Sequence, residues 1–219
     1  MASARWSADE AFRRYDESPD ELFYTEPRLV THIDDGAIAA VTQLYREYFP
    51  PGGSILDLMS SWVSHLPAEV TYQRVAGLGM NETELAANPR LTEFTVRNLN
   101  QDPHLPFDDG EFDGAGLCVS IQYLIDPPVV LREVGRVLKV GAPLVITFSN
   151  RCFPRKAVFI WQMLDDVDHG RLVEQYLQAA GNWSAIERLN RSARPAGGDP
   201  LYAVVGRSMG PGQPTRAVT

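Results

Sequence analysis

The chain has 219 residues, 44% apolar and 22% charged, the length and make-up of one globular domain with a sizeable core. Its 28 Asp and Glu outweigh 20 Lys and Arg, giving a net charge of −8; an acidic surface repels phosphate backbones and anionic membranes, so neither nucleic acid nor a membrane is expected as a partner. The N-terminus MASARWSADEAF lacks the apolar stretch of a signal peptide, no apolar run reaches the roughly 18 residues of a membrane span, and Cys118 and Cys152 form neither a CxxC pair nor a metal-ligand spacing with the histidines. These features predict a cytoplasmic protein with reduced thiols and no bound metal. Arg151, Arg155 and Lys156 are close enough in sequence to form a local basic patch.

Residues 1–20 are polar and predict a partly helical or loose segment. In AIAAVTQLYREYF (37–49), Ile38, Val41, Leu44, Tyr45 and Tyr48 recur at helical spacing, with Asp34 or Asp35 as the N-cap and Pro50-Pro51-Gly52-Gly53 as the stop. SILDLM (54–59) predicts the first strand and VTYQRVAGLGM (70–80) contains the second. NETELAANP begins with Asn81 capping over Glu84 and predicts a short helix ended by Pro89. LTEFTVRNL (91–99) and FDGAGLCVS (112–120) predict the third and fourth strands. PPVVLREVGRVLK (127–139) is an amphipathic helix with proline at its start and Gly141 just past its end. APLVITFS (142–149) predicts a fifth strand, 153–180 is largely helical, DPLYAVVGRS (199–208) is a late strand, and 210–219 is a flexible tail. Strands alternating with helices predict an α/β fold: a mostly parallel sheet with helices on both faces.

In such a sheet, ligands bind outside the carboxyl ends of the strands, near the reversal of strand order. The segments there, MSSWVSHLP (59–67), GMNETEL (79–85), NLNQDPHLPF (98–107), SIQYL (120–124) and SNRCF (149–153), are rich in polar and aromatic residues. H-x-E and H-E-x-x-H are both absent, which disfavours a zinc hydrolase or deaminase.

Three pieces stand together in LPFDDGEFDGAGLCVSIQYLIDPPVVLREVGRVLKVGAPLVITFSN (105–150): Leu105-Pro106-Phe107, Phe112-Asp113 and Arg136-Val137-Leu138-Lys139. Their order and spacing resemble the core of the class I S-adenosylmethionine-dependent methyltransferases, nearest the type 11 subgroup that includes the ubiquinone and menaquinone C-methyltransferases. The resemblance covers about residues 54–150. HIDDGAI, LDLMSSWVSHLP and FSNRCF further resemble a methyltransferase-like subgroup of bacteria and plants. The resemblance implies a Rossmann-like methyltransferase fold with a seven-stranded sheet. It also implies one domain over 1–209, with 1–50 as a helical N-terminal segment that folds over the cleft as a lid. S-adenosyl-L-methionine is the implied cofactor, an in-line methyl transfer the implied reaction, and a small molecule the implied acceptor. The alternative is a non-catalytic methyltransferase-like binding protein. A reductase is disfavoured, because the dinucleotide glycine fingerprint is absent.

The resemblance also assigns residues, and the chain departs from the family at several. Asp57, in Ile55-Leu56-Asp57-Leu58, would orient the cofactor's ammonium directly or through water, or serve as a turn residue. Met59, Ser61 and Val63 stand where the family has glycines, so Met59, Ser60, Ser61 and Trp62 would offer amides, hydroxyls and a wall to the methionine part. Gly79 takes the place of the family's ribose-binding acid. Met80 would pack on adenine, and Asn81 would replace the acid or simply cap its helix. Asn98, Leu99 and Asn100 would read and hold the adenine, or form a polar loop. Cys118, Val119 and Ser120 would line the sulfonium, with Cys118 otherwise a core residue. Gln122 and Tyr123 fall beside the substrate, Tyr123 as a base or, given a free phenol pKa near 10, as a positioning group. His65 is the other candidate base. Tyr24 and Arg28 on the lid, with Asn150, Arg151 and Phe153 after the fifth strand, would face the acceptor; Arg28 would take an acidic group or form a surface ion pair.

Overall fold

The two-residue repeat of a strand sends successive side chains to opposite faces, and the apolar runs of this chain are long enough to bury both. The structure, a computed structural model, describes residues 7–192 and 198–211. Its helices are α1 (Ala8–Phe12), α2 (Asp20–Phe23), α3 (Asp35–Tyr48), α4 (Glu82–Ala87), α5 (Pro127–Val137), α6 (Phe159–Gln162) and α7 (Asp166–Ala180). Its strands are β1 (Ser54–Leu58), β2 (Arg74–Gly79), β3 (Glu93–Val96), β4 (Gly114–Cys118), β5 (Pro143–Phe148), β6 (Trp183–Asn190) and β7 (Tyr202–Ser208). All seven join one sheet in the order β3-β2-β1-β4-β5-β7-β6.

Leu56, Leu58, Leu144 and Ile146 turn to a core built with Val130, Leu131 and Val134 of α5 and Val173 and Leu177 of α7. The alternate positions Ile55, Val145, Ala203 and Val205 meet Val41, Leu44 and Tyr45 of α3 on the other face. Val41 and Leu44 are wholly buried, and each contributes about 1.5–3 kcal/mol of hydrophobic stabilisation. Asp34 caps α3 by accepting the Ala37 N–H at 2.9 Å, a contact that stabilises a helix by about 1 kcal/mol. Asn81 caps α4 in the same way, as its sequence predicts. Gly181, at φ 82°, ends α7 in the left-handed conformation that glycine adopts freely.

Strands β1 to β5 run parallel, while β7 lies antiparallel to both β5 and β6, so the sheet is mixed. The chain-order reading places six strands and has no strand between 180 and 199. β6 is absent from it because its outward residues are mostly exposed and its pairing with β7 shifts between Ser184 and Glu187, where Ala185 stands at φ 46°. That irregularity breaks the alternation by which a strand is recognised. Of the expected tail, residues 212–219 lie outside the described residues. No helix among the described residues is long and apolar enough to cross a membrane.

Candidate functional site

Strand order reverses between β1 and β4, and a cavity of about 390 Å³ opens there at the carboxyl ends of β1, β2 and β4. This is the position at which doubly wound sheets bind ligands. The turns that leave β1 and β4 both carry a side chain on backbone that favours glycine: Met59 at φ 53° and Val119 at φ 43°. Gln122 holds the second of these turns by donating its amide to the Val119 carbonyl at 2.8 Å. The first turn is pressed against β2: Ser60 N–H donates to the Leu78 carbonyl at 2.8 Å. A Cβ on Gly79 would sit 2.2 Å from the Ser60 carbonyl oxygen. No side chain fits at Gly79 while that turn stands where it does, which explains why the family's acid is missing there.

Asp57 lies beneath this turn rather than in the cavity. Its carboxylate accepts the Ser60 and Ser64 hydroxyls, each at 2.6 Å, and Asn88 ties Ser64 to the Ser61 carbonyl at 2.9 and 2.8 Å. Burial raises the Asp57 pKa to about 6, and the two serine hydroxyls hold it from rising further.

The N-terminal segment crosses the top of the cavity, and Asp20, Tyr24, Arg28, Thr31 and His32 line it from above. A buried ionic cluster anchors the segment. The Asp20 carboxylate, 4% exposed, takes Arg14 at 2.7 Å, Lys156 at 3.2 Å and the Asn100 amide at 3.0 Å. The Lys156 side chain is wholly buried and also donates to the Ser18 carbonyl at 2.6 Å. Arg151 pairs with Asp199 at 3.0 Å and Arg155 with Asp16 at 3.1 Å, so the three cations that the sequence places close together are each ion-paired and form no free basic patch.

Several residues expected to hold a ligand bond to this segment. Asn81 donates to the carbonyls of Tyr24 and Thr25 at 2.9 and 3.1 Å, Asn98 to Glu21 at 2.8 Å, and the Trp62 indole to the Val30 carbonyl at 3.0 Å. Asn100 is spent on Asp20, the Tyr123 carbonyl and the Ile125 N–H. Of the residues assigned from the sequence, the cavity brings together Tyr24, Arg28, Met59, Ser60, Ser61, Gly79, Met80, Asn81, Asn98, Leu99, Asn100, Cys118, Val119, Ser120, Tyr123 and Arg151. Asp57, Trp62, His65, Gln122 and Asn150 stand outside its lining. His65 is set apart at φ 53°, and burial lowers its pKa, with His32 adding a smaller push in the same direction. Tyr123 accepts the Phe153 N–H at 2.8 Å, and burial drives its phenol, like that of Tyr24, well above the ordinary value.

Sequence reasoning missed Glu84, read only as a residue following a cap. Its carboxylate lines the cavity, accepting the Ser61 hydroxyl at 2.6 Å and the Arg28 N–H at 2.7 Å. The signal was its place three residues after the Asn81 cap, in the first turn of α4, which faces the carboxyl end of the sheet. Asp20, Thr31 and Arg97 were missed as well, and no motif marked them.

Residues 60–146 match the family model described as a methyltransferase domain. Over 55 residues the chain is 46% identical to the mitochondrial 2-methoxy-6-polyprenyl-1,4-benzoquinol methylase of Leishmania donovani, covering 25% of this chain and 19% of that protein. The chain thus matches about a fifth of the length of that curated relative. The cyclase SpnF superposes with a TM-score of 0.60 at 16% identity, over 87% of this chain and 92% of its own. Phosphoethanolamine N-methyltransferase 2 of Haemonchus contortus, solved with S-adenosyl-L-methionine, superposes with a TM-score of 0.56 at 14% identity, over 78% of this chain and 52% of its own. At these identities the superpositions establish the fold, and the domain match adds the cofactor class. Residues 60–146 thus match a methyltransferase domain, within a fold shared with S-adenosylmethionine-dependent methyltransferases.

Proposed function

We propose that the protein transfers the methyl group of S-adenosylmethionine to a small-molecule acceptor bound beneath its N-terminal segment. The observation that carries this reading is the pair of left-handed turns at Met59 and Val119. They flank one cavity at the strand-order reversal, and the first of them stands where the resembled family uses glycine. When bound, the cofactor supplies an activated methyl on a sulfonium, so the protein's share of the chemistry is binding, orientation and exclusion of water.

The donors and apolar surfaces suit such a guest. Met59, Ser60 and Ser61 present the turn after β1 to its methionine part. Met80 and Leu99 offer apolar faces for the adenine, and both line the cavity. Glu84, whose carboxylate has lone pairs beyond the two bonds it accepts, takes the ribose hydroxyls in place of the excluded acid at Gly79. Asp57 acts through Ser60 and Ser64, fixing the turn from below. Tyr123 and Tyr24 remain phenols at neutral pH. With its oxygen already accepting the Phe153 N–H, Tyr123 has its proton left to donate, which makes it a group that orients the acceptor rather than one that removes a proton. Gln122 supports the wall from outside the lining through its bond to the Val119 carbonyl.

Titration of the folded protein with S-adenosylhomocysteine tests the cofactor half of this reading. A one-to-one saturable isotherm is expected, and a flat one refutes it. An acceptor screen with isotopically labelled donor tests the transfer: label must move to a small molecule, and its failure to do so in the presence of bound donor leaves a binding protein in place of an enzyme.

A further inference from the structure

Three arginines line the cavity, and two of them are paired: Arg97 with Asp102 at 2.7 Å and Arg151 with Asp199 at 3.0 Å. Arg28 has no carboxylate within ion-pair distance among the described residues. Its guanidinium carbon lies 4.6 Å from the centre of the Phe23 ring, 5.4 Å from that of Phe153 and 5.8 Å from that of Tyr24. One terminal nitrogen donates to the Phe23 carbonyl at 2.8 Å, and the other, Nη1, is buried with no partner. A buried guanidinium nitrogen with neither a counter-ion nor a hydrogen-bond acceptor is costly, and stacking on aromatic faces offsets only part of that cost. The rings and the carbonyl hold the group in one orientation, so its free donor is preorganised for an acceptor.

The groups around it are also donors. Tyr24 and Tyr123 both keep their protons, because burial raises their phenols, and the Tyr123 oxygen already accepts the Phe153 N–H. The two cavity carboxylates are directed elsewhere: Asp20 to Arg14, Lys156 and Asn100, and Glu84 to Ser61, the Arg28 backbone N–H and, in the reading above, the ribose hydroxyls. A guanidinium and two protonated phenols, with no uncommitted carboxylate among them, make a site for an anion. The guanidinium stands over Phe153, which stacks on Tyr123 after β4, so the site lies toward β4 and β5. We propose that Arg28, with Tyr24 and Tyr123, binds a carboxylate carried by the acceptor, so that the substrate class of this protein is a small organic acid. This rests on the methyl-transfer reading above and narrows it.

Benzoate, phenylacetate and hexanoate, each beside its neutral amide, are titrated into protein saturated with S-adenosylhomocysteine, with binding read by calorimetry. At least one acid is expected to bind saturably while its amide binds on the order of tenfold more weakly or not at all, the loss that follows when a charge-assisted contact goes. Arg28→Met is expected to abolish that preference. Tyr24→Phe, which removes only a hydroxyl, is expected to reduce it while the fold is kept. Equal binding of acids and amides, binding of none of them, or a preference that survives in Arg28→Met overturns the proposal. So does a loss of S-adenosylhomocysteine affinity in Arg28→Met that spares 5′-methylthioadenosine, since the carboxylate held would then be the cofactor's own. Failure of wild-type protein to bind S-adenosylhomocysteine instead refutes the methyltransferase reading itself.

Discussion

The charge on Asp57 works against folding, and replacing it with Asn exposes by how much. Asp57 is 6% exposed, and its carboxyl is raised from 3.8 to about 6 chiefly by burial, with the Ser60 and Ser64 hydroxyls opposing. The shift is about two pKa units, and each unit is worth 1.36 kcal/mol, so the full effect is about 3 kcal/mol. Because the native value is the raised one, the native state holds the proton more tightly than the unfolded chain. The stabilisation this brings is complete below about pH 4 and is lost as pH climbs through about 6. Asp57→Asn keeps an oxygen for both serine hydroxyls and never ionises. Relative to the wild type, it is expected to gain about 2 kcal/mol between pH 4 and pH 8. In a chain of this length that corresponds to a difference in Tm on the order of 5 °C. The assay is urea unfolding of both proteins by circular dichroism at matched ionic strength across that range. Taking the difference cancels the paired carboxylates, such as Asp34 and Asp113, whose lowered values give the opposite slope. A difference independent of pH, or one that favours the wild type as pH rises, refutes the reasoning.

Glu84→Gln is expected to weaken S-adenosylhomocysteine by roughly tenfold. The loss should vanish with the 2′,3′-dideoxy nucleoside analogue, whereas a purely structural Glu84 would weaken both ligands alike; calorimetric titration of the four combinations decides. Gly79→Ala places a methyl group 2.2 Å from the Ser60 carbonyl, so the turn after β1 must move. Chemical denaturation should show a loss of about 2 kcal/mol, and binding of S-adenosylhomocysteine should fall with it. Lys156→Met removes one cation from the buried cluster around Asp20 and should cost about 3 kcal/mol. Hydrogen exchange would report it as faster exchange of the amides of residues 13–24, with the strands of the sheet little changed.

Much of the architecture is written in local pattern. The apolar runs of β1, β2, β4 and β5, the 3.6-residue repeat of α3 and α5, and the caps at Asp34 and Asn81 each depend on neighbours within a few residues, so the sequence carries them openly. β6 does not, because its irregular pairing with β7 is fixed by a strand far along the chain. The carboxyl ends of the strands could likewise be named in advance as the place of the site, since topology alone dictates it.

What each polar residue does there was decided only when the chain closed on itself. An amide at Asn81, Asn98 or Asn100 has the same donors whether its partner is a bound nucleoside or a carbonyl or carboxylate of a segment some 60 to 80 residues away, and the structure gives these amides largely to the segment. The family resemblance assigns Asp57 to the cofactor or to the turn, and packing sets it beneath the turn, bonded to a serine pair. Glu84 and Arg28 carried no motif. They acquired their places because the N-terminal segment lies across the sheet, so that Asp20, Tyr24, Arg28 and His32 share one cavity with Glu84, Tyr123 and Phe153. Sequence determined the frame because secondary structure answers to short-range sterics and periodicity. Tertiary closure determined the site because hydrogen-bond partners and burial depend on which distant segments meet.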